Sequence, residues 1–184
     1  IEEAGYSDKV ADVIYCNDRE VNEEYSSGTF GGPNFGYGTF QTIYSPSSRV
    51  MTIDGSGGAQ TNQIKMTCSQ QNDAFTVDDT TNGNGALTYP VGLITLDELV
   101  AAGAYTYEWP ENYDFYLYTG NDYWTMSPVN FDGDDARVWG PGGAGSLGDY
   151  GVKRGPYGVR PVVSLRSDVQ LSGSGTMSDP WIAQ

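Results

Sequence analysis

The sequence predicts a single α+β domain in which short strands and long glycine-rich loops outweigh helix. Three observations carry that expectation. The chain has 184 residues, enough for one hydrophobic core of ordinary size and too few for two. It holds 25 glycines, well above the usual frequency of about 7%, beside 13% aromatic residues able to fill a core. One segment alone carries a clear helix-start signal.

The elements follow in chain order. Residues 1–24 carry eight acids and two bases, an acidic N-terminal stem leading through Val10, Val13 and Ile14 into a first strand at Tyr15-Cys16. Ile1, standing where an initiating methionine would, predicts a segment upstream such as a signal peptide or an anchor. Thr29 to Phe40 (TFGGPNFGYGTF) reads as a glycine–aromatic loop. Thr39 to Ile53 alternates weakly, enough for a strand or two, and Asp54 to Gly58 is a turn. Ile64, Met66 and Cys68 alternate with Lys65 and Thr67, the pattern of a half-buried strand. The helix signal is Thr95 followed three residues later by Glu98, a capping box, then Leu99, Val100, Ala101 and Ala102 before a stop at Gly103. Beyond it, Tyr116–Tyr118, Tyr123–Met126, Ala136–Trp139 and Val159–Leu165 read as short strands, and Gly140 to Gly151 as a long surface loop. No internal repeat or linker divides the chain, so residues 1–184 form one domain in this reading.

Composition excludes several kinds of chemistry. A net charge of −15 repels nucleic-acid phosphates and anionic membranes. The absence of histidine removes Ser-His-Asp and Cys-His catalysis and histidine metal ligation. No apolar run approaches the roughly 20 residues that span a bilayer. Two cysteines without histidine cannot build a structural zinc site. Their even number and an extracellular style of composition pair Cys16 with Cys68 as a disulfide, the alternative being two buried thiols. No cofactor and no metal are implied. Asp132, Asp134 and Asp135 place three carboxylates within four positions, which suits calcium, but the spacing is not that of an EF-hand and reads as a solvated acidic turn. The glycines of 140–151 lack the Gly-Lys-Ser/Thr of a phosphate loop. Acids are abundant, yet no spacing selects a catalytic carboxylate pair.

Residues 129–160 differ from the rest of the chain. Their four acids and four bases cancel. Ala136, Val138, Leu147, Val152 and Val159 are spaced as scaffold residues, and the positions between them carry side chains favoured at binding surfaces. The candidate ligand-binding residues are Asn130, Asp132, Asp134, Asp135, Arg137, Trp139, Asp149, Tyr150, Lys153, Arg154 and Tyr157. Strand alternation predicts Ala136 and Val138 facing inward, with Arg137 and Trp139 directed out and Trp139 as the anchor. The alternative packs Trp139 against the glycine loop that begins at Gly140.

Three stretches resemble a known family: Tyr123-Trp124-Thr125-Met126-Ser127-Pro128, Gly158-Val159-Arg160-Pro161-Val162-Val163-Ser164-Leu165, and the closing Gly173-Ser174-Gly175-Thr176-Met177-Ser178-Asp179-Pro180-Trp181. In this order they look like the C-terminal part of C-type-lectin-like domains of bacterial and phage surface proteins, related in fold to formylglycine-generating enzymes and to retroelement-diversified variable proteins. The segments Ile14–Arg19 and Asn82–Glu98 also look like parts of such surface proteins, so the likeness covers about two-thirds of the chain. It implies small twisted antiparallel sheets, one or two short helices, and a poorly regular ligand-display segment over 124–160. The calcium-dependent sugar triplets of true lectins are absent, and Asn121-Asp122 precedes Tyr123-Trp124 in a different order. No cysteine follows Cys68, so formylglycine-generating activity is not implied. Trp139 and Lys153 lie outside what adenine-directed diversification of Asn-type codons produces and require another codon or fixation, so a diversified binding face stays open in this reading.

The function expected is therefore non-enzymatic: a ligand-binding or adhesion module on a bacterial or phage surface, or in a secreted filament, engaging a protein or glycan of another cell or phage host. Two other readings stay open. One is a pilin-like structural subunit that self-assembles through an upstream apolar helix. The other is a carboxylate-based hydrolase.

Overall fold

A computed structural model of the chain describes residues 5–22, 42–50, 63–104, 115–131, 134–142, 146–176 and 178–184. The expected loop around 29–40 and the turn at 54–58 lie outside these residues. The architecture is α+β, with small antiparallel sheets and few short helices. Strands β1 (Tyr15–Cys16) and β3 (Ala74–Phe75) pair with each other. Strands β2 (Thr42–Ile43), β4 (Pro128–Phe131), β5 (Ala136–Pro141) and β6 (Leu147–Gly151) form the principal sheet in the order β2-β4-β5-β6. Strands β7 (Leu171–Ser172) and β8 (Ile182–Ala183) make a separate hairpin. Helices α1 (Ser45–Val50) and α2 (Leu96–Ala101) are six residues each. Among the described residues no helix is long and apolar enough to cross a membrane.

Helix α2 is bounded as its sequence predicts. Glu98 N–H donates to Thr95 Oγ1 at 3.1 Å, and Thr95 N–H donates to Glu98 Oε2 at 2.8 Å, completing the capping box. At the other end Gly103 takes φ 101°, where a β-carbon would be strained. Gly103 N–H then reaches Val100 O at 3.0 Å and Ala104 N–H reaches Leu99 O at 3.0 Å, a Schellman stop. Six residues do not hold a helix alone in water. Leu96, Leu99 and Val100 supply the rest by packing with Val129, Trp139 and Leu147 from the sheet.

Several expected strands are not formed, among them Tyr123–Met126, where Tyr123 alone makes an isolated bridge, to Gly158. Residues 45–50 are helical, because Pro46 in the first turn has its φ already set for a helix and no amide to waste. Residues 63–70 pair with nothing in a ladder, and their alternation is inverted: Ile64 and Met66 are exposed while Lys65 turns inward. Lys65 N–H donates to the buried Asp97 Oδ1 at 2.9 Å and its Nζ to the half-exposed Glu20 Oε2 at 3.1 Å, so two acids hold the lysine. Tyr116–Tyr118 is a turn. Val159–Leu165 is extended but makes single bridges to three separate segments, through Gly158 to Tyr123, Val162 to Gly92 and Leu165 to Val10. Pro161 has no amide to offer a continuous ladder. The expected loop at 140–151 is instead the β5–β6 hairpin, closed by Gly142 N–H to Ser146 O at 2.7 Å.

Polar ties join the helices to the N-terminal segment. Arg49 of α1 reaches Asp18 Oδ2 at 2.8 Å and Asp97 Oδ2 of α2 at 3.1 Å, with both carboxylates nearly inaccessible to solvent. Burial acts to lower the Arg49 pKa, but the hydrogen bonds and charges of Asp97 and Asp18 outweigh it and leave it raised. The Cys16–Cys68 disulfide, with Cα atoms 5.5 Å apart, fastens β1 to the 63–70 segment across 52 residues. A loop of that length corresponds to about 4 kcal/mol of removed chain entropy.

Removing one partner of the Arg49 cluster strands buried charge. Arg49→Gln is expected to cost about 3–5 kcal/mol, read as a fall in the urea midpoint. The triple replacement Asp18→Asn, Arg49→Met, Asp97→Asn is expected to lose less than that single change. Acid stability follows from two other carboxylates. Burial pushes Asp12 up, yet hydrogen bonds from the amides of Val77, Asp78 and Asp79 together hold it below its ordinary value. Hydrogen bonds from Ser69 and Lys65 lower Glu20. Groups lowered in the folded state bind fewer protons there than when unfolded. Their stabilisation is present above an unfolded pKa of about 4 and is lost as pH falls through the folded values. Melting temperature should therefore drop below about pH 4, and Asp12→Ala should flatten that drop in a calorimetric pH series.

Candidate ligand-binding site

The β4–β5–β6 register decides where each candidate side chain goes. Across β5 and β6, Val138 stands opposite Tyr150, Trp139 opposite Asp149, Gly140 opposite Gly148 and Arg137 opposite Gly151. Opposed residues share a face, and neighbours along a strand alternate. One face carries Trp139 and Leu147, both in the hydrophobic core. The other carries Val138, Gly140, Gly148 and Tyr150.

The expected parity is therefore reversed. Trp139 is 2% exposed, and its Nε1 donates to Ser47 Oγ of α1 at 3.2 Å. A large indole with a half-buried hydroxyl partner gains more from the core than alanine or valine would, so it takes the inner face. It cannot serve as a surface anchor. Ala136 and Val138, expected inside, lie on the outer face half-buried. Leu147 does point inward, whereas Val152 and Val159 are 53% and 67% exposed.

The charged candidates pair among themselves. Arg137 Nη1 contacts Asp149 Oδ2 at 2.5 Å, Lys153 Nζ contacts Asp134 Oδ2 at 3.1 Å, and Arg154 Nε lies 3.7 Å from Asp135 Oδ2. Three of the four bases of 129–160 are thus paired with acids of the same stretch. Asp135 is buried rather than a solvated turn acid, its carboxylate packed where a β-carbon on Gly151 would stand. Asp132 lies outside the described residues. Asn130 sits opposite Arg137 beside a bulge at Pro128/Asn130. Its Oδ1 is buried and has no hydrogen-bond partner among the described residues, and the residue lines a cleft of about 430 Å³ with Asn17, Arg19 and Arg137.

What the structure does bring together on the outer face is aromatic. Tyr150 and Tyr157 have ring centroids 4.6 Å apart, and Trp124 meets Tyr157 edge-on at 4.7 Å. All three are half-buried. The Tyr150 ring lies over glycine: a β-carbon on Gly140 would stand 3.1 Å from its Cδ2, and one on Gly142 would stand 2.5 Å from its hydroxyl. Any larger residue there would lift the ring off the sheet. Beside the trio runs a groove of about 730 Å³ between residues 119–123 and 156–160. There the Arg160 guanidinium stacks 5.0 Å over the Tyr123 ring. Burial raises the Tyr123 pKa, while Arg160 acts against the shift.

Sequence reasoning included Tyr150 and Tyr157 among the candidates but omitted Trp124, Tyr123 and Arg160. These three lie at the two ends of residues 123–160, inside the Tyr123–Pro128 and Gly158–Leu165 stretches, and that position is the signal the sequence offers for them. Comparison of the chain with protein-family models, with curated proteins and with solved structures gives no match in any of the three.

The two tryptophans of this region should behave differently when truncated. Trp139→Ala is expected to cost about 3–5 kcal/mol, and Trp124→Ala clearly less, in paired urea titrations. Equal losses would place both in one core.

Proposed function

We propose that the chain is a non-enzymatic ligand-binding or adhesion module of C-type-lectin-like architecture, displayed outside a bacterial cell or on a phage virion, that engages a protein or glycan ligand. The observation that carries the reading is the half-buried Trp124–Tyr157–Tyr150 trio on the outer face of a glycine-floored hairpin. Rigid aromatic side chains bury large contact area at little entropic cost. These three lie on the face opposite the core, and the ion pairs of Arg137, Lys153 and Arg154 flank the same segment. An irregular display segment resting on a small sheet with two short helices suits a C-type-lectin-like frame. The disulfide accords with an extracellular location.

Binding of the full chain to a glycan array and to a panel of bacterial cells tests the proposal. The wild-type chain should retain ligand, and Trp124→Ala/Tyr157→Ala should weaken binding by about 2 kcal/mol or more, with melting shifted by only a few degrees. Retention by that variant equal to wild type would overturn the assignment of the face.

A further inference from the structure

The groove beside the aromatic trio holds an arginine in an unusual position. Arg19, Arg49, Arg137, Arg154 and Arg166 each lie within ion-pair distance of an aspartate. Among the described residues Arg160 has no carboxylate partner, although the chain carries 24 acids against nine bases. Its guanidinium is held by other means. It stacks over Tyr123, and Nη1 donates to Leu117 O at 3.3 Å, the carbonyl that also accepts the Tyr123 hydroxyl at 3.0 Å. A planar fork restrained in this way has less rotamer freedom to lose on meeting a ligand than one on a mobile side chain.

The other walls narrow the ligand's chemistry. The groove is also lined by Tyr157, Asn121 and Asp122, residues that carry an aromatic ring, an amide and a carboxylate. A bare oxyanion such as phosphate would meet Asp122 as well as Arg160, on a chain of net charge −15. A ligand with one carboxylate and several hydroxyls suits every wall. Its carboxylate pairs with the guanidinium, its hydroxyls donate to Asp122 and bond Asn121, and its ring lies against Tyr157. The groove volume of about 730 Å³ falls in the range of small-molecule sites. We propose that this groove binds a carboxylate-bearing sugar, with Arg160 reading the acid group. The proposal rests on the ligand-binding reading above and gives that site a ligand class.

Calorimetric titration of the full chain with trigalacturonate, with its neutral methyl ester and with inorganic phosphate tests this. Sialyllactose against lactose, in parallel, distinguishes a sialic from a uronic source. The wild-type chain should bind at least one acidic sugar ten or more times tighter than its neutral counterpart, and tighter than phosphate. Arg160→Gln should bring acidic and neutral sugars to equal affinity, and Arg160→Lys should restore part of the difference. Asp122→Asn, which leaves Arg160 untouched, should strengthen phosphate binding. Equal binding of acidic and neutral sugars by wild type, or wild-type preference in a folded Arg160→Gln variant, would overturn the proposal. So would phosphate binding as tight as that of the sugars, or no saccharide binding at all. In that last case, trio-dependent retention on cells would leave the ligand-binding reading standing and remove only the acidic-sugar class.

Discussion

Trp139 occupies the inner face of β5, and because strand side chains alternate, that one placement assigns the surrounding sheet. Leu147 opposite Pro141 and Val129 beside the bulge join it inside, against α2. Val138, Gly140, Gly148 and Tyr150 are left outside. A slip of one residue would expose the indole and bury the Tyr150 side of the hairpin. The hydrogen bond to Ser47 adds direction to the burial, since it ties the same indole to α1.

Charge is used in an unusual way for so acidic a chain. The bases that could have formed a positive patch are mostly consumed by neighbouring acids. Arg49 does so between two helices and the N-terminal segment, and Arg137 does so along the hairpin. The buried Arg49 cluster is costly to desolvate and joins α1 to α2 and to the N-terminal segment. The exposed Lys153–Asp134 pair contributes little to stability. Arg160, stacked rather than paired, is then a local exception within a strongly negative surface.

The glycine content has a related purpose at the hairpin. Gly140, Gly142 and Gly148 supply a floor without side chains on which Tyr150 lies flat, and through Tyr150 they locate Tyr157 and Trp124. Residues that lower the stability of an isolated strand thus permit an aromatic surface to be held by backbone. Trp124 and Tyr157 lie on connections and Tyr150 within β6, while the core lies on the opposite side of the sheet.

The sequence by itself determined the features that depend on neighbours a few residues apart. The α+β class, the capping box at Thr95 and Glu98, the stop at Gly103 and the strand beginning at Ala136 were legible because each is a local pattern. Tyr150 and Tyr157, both singled out from the sequence, stand in ring contact on the outer face. The Cys16–Cys68 pairing was legible from the even cysteine number and the extracellular style of composition. Tertiary structure decided what depends on partners far along the chain. Lys65 turned inward because Asp97 and Glu20, distant in sequence, were waiting there. The 140–151 segment became a hairpin because β6 could pair with β5 over a glycine floor. Above all, alternation states that Trp139 and Val138 face opposite ways but not which of them faces in. That choice belonged to α2 and Ser47, which only the folded chain brings to the sheet.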